Sequence, residues 1–166
     1  MSGRTQRQTP LDNQESVWDY PRPPRVEAVD QPIRVIFNGV TIAESTHAQR
    51  VLETSHPPVY YLPPEDIRME YLRPTARHTS CEFKGAASYW TIKVGERVSE
   101  NAGWSYETPQ PGYESLKGSI AFYANKVDAC FVGDEQVKPQ AGDFYGGWIT
   151  AKIVGPFKGT PGTEGW

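Results

Sequence analysis

Asn38-Gly39 stands between two runs rich in apolar and β-branched residues, Ile33-Arg34-Val35-Ile36-Phe37 and Val40-Thr41-Ile42. Few dipeptides constrain a chain so tightly. A two-residue type I′ turn needs positive φ at both central positions, and Asn and Gly tolerate this at low cost. The pair therefore predicts a β-hairpin. An isolated hairpin is marginal in water, so it must find further strands. Residues 59–62, 69–72, 120–123 and 129–132 carry the aromatic and branched side chains that suit strands. Gly133-Asp134 offers the turn of a last hairpin, returning through Glu135 to Val137. With 15 Gly and 15 Pro in 166 residues, turns recur too often for long helices.

Helical signals are brief. Thr46 with Gln49 three residues on makes a capping box, and Ala48, Val51 and Leu52 would share one face of a short helix stopped by Pro57-Pro58. Pro63-Pro64-Glu65-Asp66 opens a single helical turn with acids at its start. Another turn is expected at 113–116, ended by Gly118. The predicted class is mainly β, with one or two short helices.

This length suits one domain with tails. Residues 1–16 are polar and without periodicity and read as a disordered tail. Residues 17–138 form the domain, with Trp18 on a proline-stiffened arm. Residues 139–166 are rich in Gly, Pro and aromatics; Trp148, Ile149, Ile153, Val154 and Phe157 would expose a sizeable patch unless this extension packs on the body or on a second subunit.

A net charge of −3 argues against nucleic acid, which needs a basic stripe, and against a polybasic membrane contact. No apolar run approaches the roughly 20 residues of a membrane-spanning helix, and the first residues lack the apolar core of a secretory signal. Two cysteines, Cys81 and Cys130, are few for a secreted disulfide scaffold. The expected compartment is the cytoplasm.

Chemistry concentrates in residues 78–106, HTSCEFKGAASYWTIKVGERVSENAGWSY. Trp90, Trp104 and Tyr106 are the candidate pocket walls. Trp104 and Tyr106 share a strand face by the period of two, and aromatic walls with a few polar groups describe many small-ligand sites. Plain core packing explains the same residues. Lys84, before Gly85 at a turn, is either a solvated turn residue or a cation directed into the pocket. Cys81 is either a small buried thiol or a nucleophile assisted by Lys84 or His78. Glu65 offers a carboxylate contact, though acids in a first helical turn usually serve the helix dipole. No metal site is expected, because zinc wants four Cys or His ligands in closely spaced pairs. No glycine-rich phosphate loop and no GxSxG elbow is present, and no cofactor is implied.

Three ordered segments, PPEDIRMEYL, HTSCEFKGAASYWTI and NAGWSYETPQPGYESLKGSIAFYANKVD, resemble a bacterial and fungal family known as domain of unknown function 427. The likeness runs from about Ile33 to Asp128, with CEFKGAASYW and AGWSY its most specific parts. The closing FYGGWITAKIVGPFKGTPGTEGW looks like the C-terminal extension of a longer subgroup. The resemblance implies a β-tent: two antiparallel sheets meeting at an angle, with a pocket between them. Many β-tents hold zinc through two CxxC knuckles; this sequence has none, which implies that this zinc is missing. The thalidomide-binding domain of cereblon, a related β-tent, uses a tryptophan cage, and Trp90 and Trp104 are its tempting counterparts. B-type methionine sulfoxide reductases, also related, would make Cys81 a redox nucleophile.

Three functional readings follow. The first is a module binding a small molecule between the sheets, with Trp90, Trp104 and Tyr106 as walls and Lys84 and Glu65 as polar contacts. The second is a cysteine-dependent enzyme, of redox or transferase type, using Cys81. The third is an assembly protein that forms a homodimer through its tails.

Overall fold

The computed structural model describes residues 6–142 and 144–166. The chain is mainly β. Its strands are β1 (Glu15–Ser16), β2 (Arg25–Ala28), β3 (Ile33–Phe37), β4 (Val40–Ser45), β5 (Gln49–Leu52), β6 (Val59–Tyr61), β7 (Leu72–Cys81), β8 (Gly85–Val94) and β9 (Arg97–Ser105). They continue as β10 (Ile120–Phe122), β11 (Ala129–Val132), β12 (Glu135–Gln136), β13 (Lys138–Pro139), β14 (Trp148–Ile149) and β15 (Ile153–Val154). Three antiparallel sheets carry the fold: β10-β9-β8-β7, β12-β11-β3-β4 and β2-β5-β6. Two short pairs, antiparallel β13-β14 and parallel β1-β15, tie down the ends.

The Asn38-Gly39 hairpin forms as its sequence requires. Phe37 pairs with Val40, and both turn residues have positive φ, 50° and 75°. The side chain of Asn38 also donates to the Val94 carbonyl at 3.0 Å, joining the hairpin to the neighbouring sheet. The Gly133-Asp134 hairpin is present too, with Val132 opposite Glu135.

The short helices are the main correction. Among the described residues, helical structure is confined to five three-residue 3₁₀ turns, two of them at Pro64–Asp66 and Glu114–Leu116. The segment with the capping box is strand β5, the middle of the three-stranded sheet. Ser45 Oγ, rather than Thr46, takes a backbone N–H, that of His47 at 2.9 Å. Arg50 donates to Glu27 on β2 at 2.6 Å and to Glu15 at 3.2 Å, fixing the strand sideways. Val51 and Leu52 are both buried but enter different clusters on opposite faces. A strand covered on both faces shows no alternation, so its sequence mimics a helical face. Residues 69–72 also differ: Met69–Tyr71 is a 3₁₀ turn, and the strand starts at Leu72.

Three clusters fill the interior. The largest is chiefly aliphatic, with Ile33, Val35, Ile42, Leu62, Ile92 and Ile120 among its members. Each such side chain contributes about 1.5–3 kcal/mol on burial. Trp148 of β14 belongs to it: fully buried, its ring is stacked 5.1 Å from Tyr60, and its indole N–H donates to the Phe122 carbonyl at 2.9 Å. The second cluster is aromatic and is built on Tyr61, Tyr89, Trp104, Tyr106 and Tyr123. The third joins Val17 and Tyr20 to Leu52 and Ile153. Of the segment expected as a disordered tail, residues 1–5 lie outside the described residues. Further on, Gln8 N–H donates to the Gly155 carbonyl and Glu15 N–H to that of Lys152. Trp18 donates to the Pro156 carbonyl at 2.9 Å and lies 5.3 Å from the Trp166 ring.

Candidate functional site

Between the three-stranded sheet and the β7–β9 strands lies a cavity of about 400 Å³. Its position follows from strand alternation. In β8, Ala87 and Tyr89 face inward together, and Tyr89 pairs directly with Trp104 of β9. Val59 and Tyr61 of β6 form the opposite wall. Phe144, Tyr145, Lys158 and Trp166 of the C-terminal segment complete the lining.

The aromatic walls are tied to one another. Trp104 donates through its indole N–H to Tyr61 Oη at 3.3 Å, and the two rings meet edge to face at 6.3 Å. Tyr106 lies 6.2 Å from Tyr61, and Tyr123 4.6 Å from Trp104. Tyr89 Oη and Thr79 Oγ1 are 3.0 Å apart. Burial pushes the phenols of Tyr61 and Tyr106 well above the usual tyrosine range, so both keep their protons at neutral pH. Gly146 lets the C-terminal segment lie directly on this wall. Its φ is +75°, and a Cβ there would overlap the Trp104 ring.

The polar groups are unevenly satisfied. Arg22 Nε donates to Glu53 at 3.3 Å, and its Nη2 donates to the Thr54 carbonyl at 3.0 Å. His56 Nδ1 is 3.0 Å from the Thr54 carbonyl, an acceptor, so Nδ1 carries the proton and Nε2 the lone pair when the ring is neutral. Burial lowers the His56 pKa, against the pull of Glu53. Lys84 is different. It is only 9% exposed, yet among the described residues no carboxylate lies within salt-bridge distance of its ammonium. Burial works against its charge, and the surrounding Tyr106, Cys81 and Glu53 act in the opposite sense, with the net direction upward from the ordinary lysine value. The ammonium is charged at neutral pH.

A tight turn fixes Lys84 in place. Cys81 pairs with Gly85 across the β7–β8 connection, Gly85 has φ +112°, and the Lys84 carbonyl accepts from Gln110 N–H at 2.9 Å. A Cβ on Gly85 would approach the Thr108 carbonyl to 3.2 Å. Glycine is therefore needed there both for its dihedral and for close approach.

Of the residues singled out in the sequence, Cys81, Lys84, Trp104 and Tyr106 meet in this cavity. Trp90 does not. It sits one residue from Tyr89 and so points to the other face of β8, where its N–H donates to Ser105 Oγ at 3.0 Å. Glu65 does not either: it is exposed on the Pro64–Asp66 turn, away from the cavity. Tyr61, Tyr89, His56 and Lys158 were missed. Tyr89 was within reach of sequence reasoning, since Ala87-x-Tyr89 alternates with the partner strand's Trp104-x-Tyr106. His56 and Lys158 carry no local signal, because they arrive from loops. Cys81 is half-buried and Cys130 buried, and both are free thiols. Burial pushes the Cys130 thiol far up, which leaves it inert. Among the described residues no three His, Cys, Asp or Glu side chains gather as a metal site, and no helix is long and apolar enough to cross a membrane.

The fold and cavity thus define a mainly β protein with an aromatic-walled pocket between antiparallel sheets. The chain belongs to the family described as Domain of unknown function (DUF427), whose model matches residues 25–133. That span holds β2 to β11 and most of the cavity wall, while Arg22, Phe144, Tyr145, Lys158 and Trp166 lie outside it. No curated protein matches the chain.

Proposed function

We propose that this chain is a small-molecule-binding module and that its site is the cavity between β6 and the β7–β9 strands. One observation carries the reading. Tyr61, Tyr89, Trp104 and Tyr106 crowd together as a tyrosine-rich cluster yet leave about 400 Å³ open, a volume in the range of small-ligand pockets. A concave, largely apolar cleft with a few polar groups at its border is the usual form of a small-ligand site. An opening of this size bordered by Lys84, His56 and Arg22 suits a ligand better than it suits a core.

The test is a thermal-shift screen of a metabolite library against the natural protein and Ala87→Leu. Ala87 is buried and lines the cavity, so a leucine there takes up ligand space. At least one compound is expected to raise the melting temperature of the natural protein and not that of the variant. The reading fails if no compound does so, or if both proteins respond alike.

A second reading, thiol-dependent activity, is favoured by Cys81 lining the same cavity three residues from Lys84. The thiol is reached from the cavity, and Lys84 lines the cavity with it. Iodoacetamide should then alkylate Cys81 faster in the natural protein than in Lys84→Met. Equal rates would remove this reading. A third reading, a homodimer through the tails, would be checked by solution mass; within the chain Trp148 and Ile153 are buried and Trp18 is half-buried against Pro156 and Trp166.

A further inference from the structure

We propose that the cavity takes a planar, ring-containing ligand bearing one anionic group, with Lys84 as the seat of the anion and the aromatic wall as the seat of the ring. The inference rests on the cavity being the binding site and names the class of ligand it selects. It starts from an imbalance of charge. Buried ammonium groups are ordinarily matched by a carboxylate, because taking a charge out of water without a partner is costly. Lys84 is more than nine-tenths buried, and among the described residues it makes no salt bridge.

The other charges around the cavity do not correct this. Glu53 is engaged by Arg22 at 3.3 Å and lies 4.0 Å from His56 Nδ1. Glu82 is exposed at the rim. Lys158 adds a second cation, with its Nζ 5.0 Å from the Tyr145 ring centroid and 3.4 Å from the Trp166 oxygen. The groups that act on Lys84 are Tyr106, whose phenol keeps its proton, Cys81, and Glu53, which is already engaged by Arg22. The pocket therefore presents the Lys84 ammonium, which has no ion-pair partner among the described residues, over an aromatic floor. A cationic ligand would add like charge to Lys84 and Lys158. A neutral one would leave the ammonium unmatched in a still drier site. A carboxylate, sulfonate or phosphate on a flat ring supplies the missing counter-charge, and its ring meets Trp104 and Tyr61, whose own rings are fixed by the bond between them.

Two fluorescent probes separate the parts of this claim. 8-Anilinonaphthalene-1-sulfonate and N-phenyl-1-naphthylamine share a ring system and differ by one sulfonate. Titrated into the natural protein, the sulfonate is expected to bind at least about tenfold more tightly, the size of one charge-assisted hydrogen bond. In Lys84→Met, which keeps the aliphatic stem, the two dissociation constants should converge. In Ala87→Leu both should weaken, which assigns the signal to the cavity. If the probes bind equally to the natural protein, or if their ratio survives Lys84→Met, the anion subsite is wrong while the binding cavity stands. If neither probe binds, the cavity reading falls and this inference with it. A Lys84→Met chain that does not fold also overturns the proposal, because it would make Lys84 a structural group.

Discussion

The chain's two larger interior clusters are built from different side chains and leave different amounts of space. Around Ile33, Ile42, Leu62 and Ile120, branched aliphatics from β3, β4 and β10 interlock, and Trp148 closes the gap that remains. Around Tyr61, Tyr89, Trp104 and Tyr106, rigid rings meet at tilted and edge-on angles and a cavity stays open. Aliphatic side chains adapt to one another's shapes. Large flat rings with hydroxyls that need partners do so less readily. One cluster holds the fold together, and the other frames the candidate site. Both draw on strands β8 to β10, so the division runs through a single sheet.

That contrast can be broken in several places. Ile42→Ala in the aliphatic cluster should have the largest effect, a loss of about 2–5 kcal/mol in denaturant unfolding. A loss well under 1 kcal/mol would show that this side is loosely packed too. Gly146→Ala comes next, at about 1–3 kcal/mol for the forced backbone alone. It should also displace the C-terminal segment from Trp104 and so change the Trp104 environment. An unaltered tryptophan emission spectrum would mean that the segment does not rest on the wall. Tyr89→Phe removes a hydroxyl 3.0 Å from Thr79 Oγ1 and should cost about 1 kcal/mol. A neutral result would show that Thr79 finds another partner.

The smallest effect is one of pH. Burial holds the His56 pKa below its ordinary value of 6.5. The folded state thus binds fewer protons than the unfolded state in that window, so stability rises with pH there. Put the other way, stability is lost as the pH falls from about 6.5 through the lowered folded value. Glu53 draws the ring toward protonation, while Lys158 and Arg22 oppose it. Unfolding followed from pH 7.5 to 5 should show this slope, and His56→Asn should flatten it. A slope that persists in the variant would place the titration elsewhere.

What the sequence made legible was whatever a local rule controls. Asn38-Gly39 specified its turn through the φ values of two residues, and the Gly133-Asp134 hairpin formed with positive φ at Gly133 alone. Trp104 and Tyr106 were placed on one face by alternation alone. Trp90 marks the limit of that rule: alternation fixes which residues share a face but not which face lines the cavity, and it is the neighbouring Tyr89 that borders it. Residues 49–52 read as a helix because the strand is buried on both sides, and that depends on partners distant in sequence. His56 and Lys158 come from separate loops, and only the folded chain brings them to one cavity. Lys84 lay between these cases. Its turn was legible from Gly85, but whether its ammonium turned inward depended on packing against Tyr106 and Cys81.

The comparison between the clusters is tested most directly by adding the same atoms to each. Ala87→Leu enlarges a side chain that borders the cavity, and Ala102→Leu enlarges one in the aliphatic cluster. Measured by denaturant unfolding, Ala102→Leu should lose about 1–3 kcal/mol through overpacking, while Ala87→Leu should be neutral or stabilising. Equal losses at the two positions would contradict the account, because they would mean that the tyrosine-rich side holds no open space for a ligand to fill.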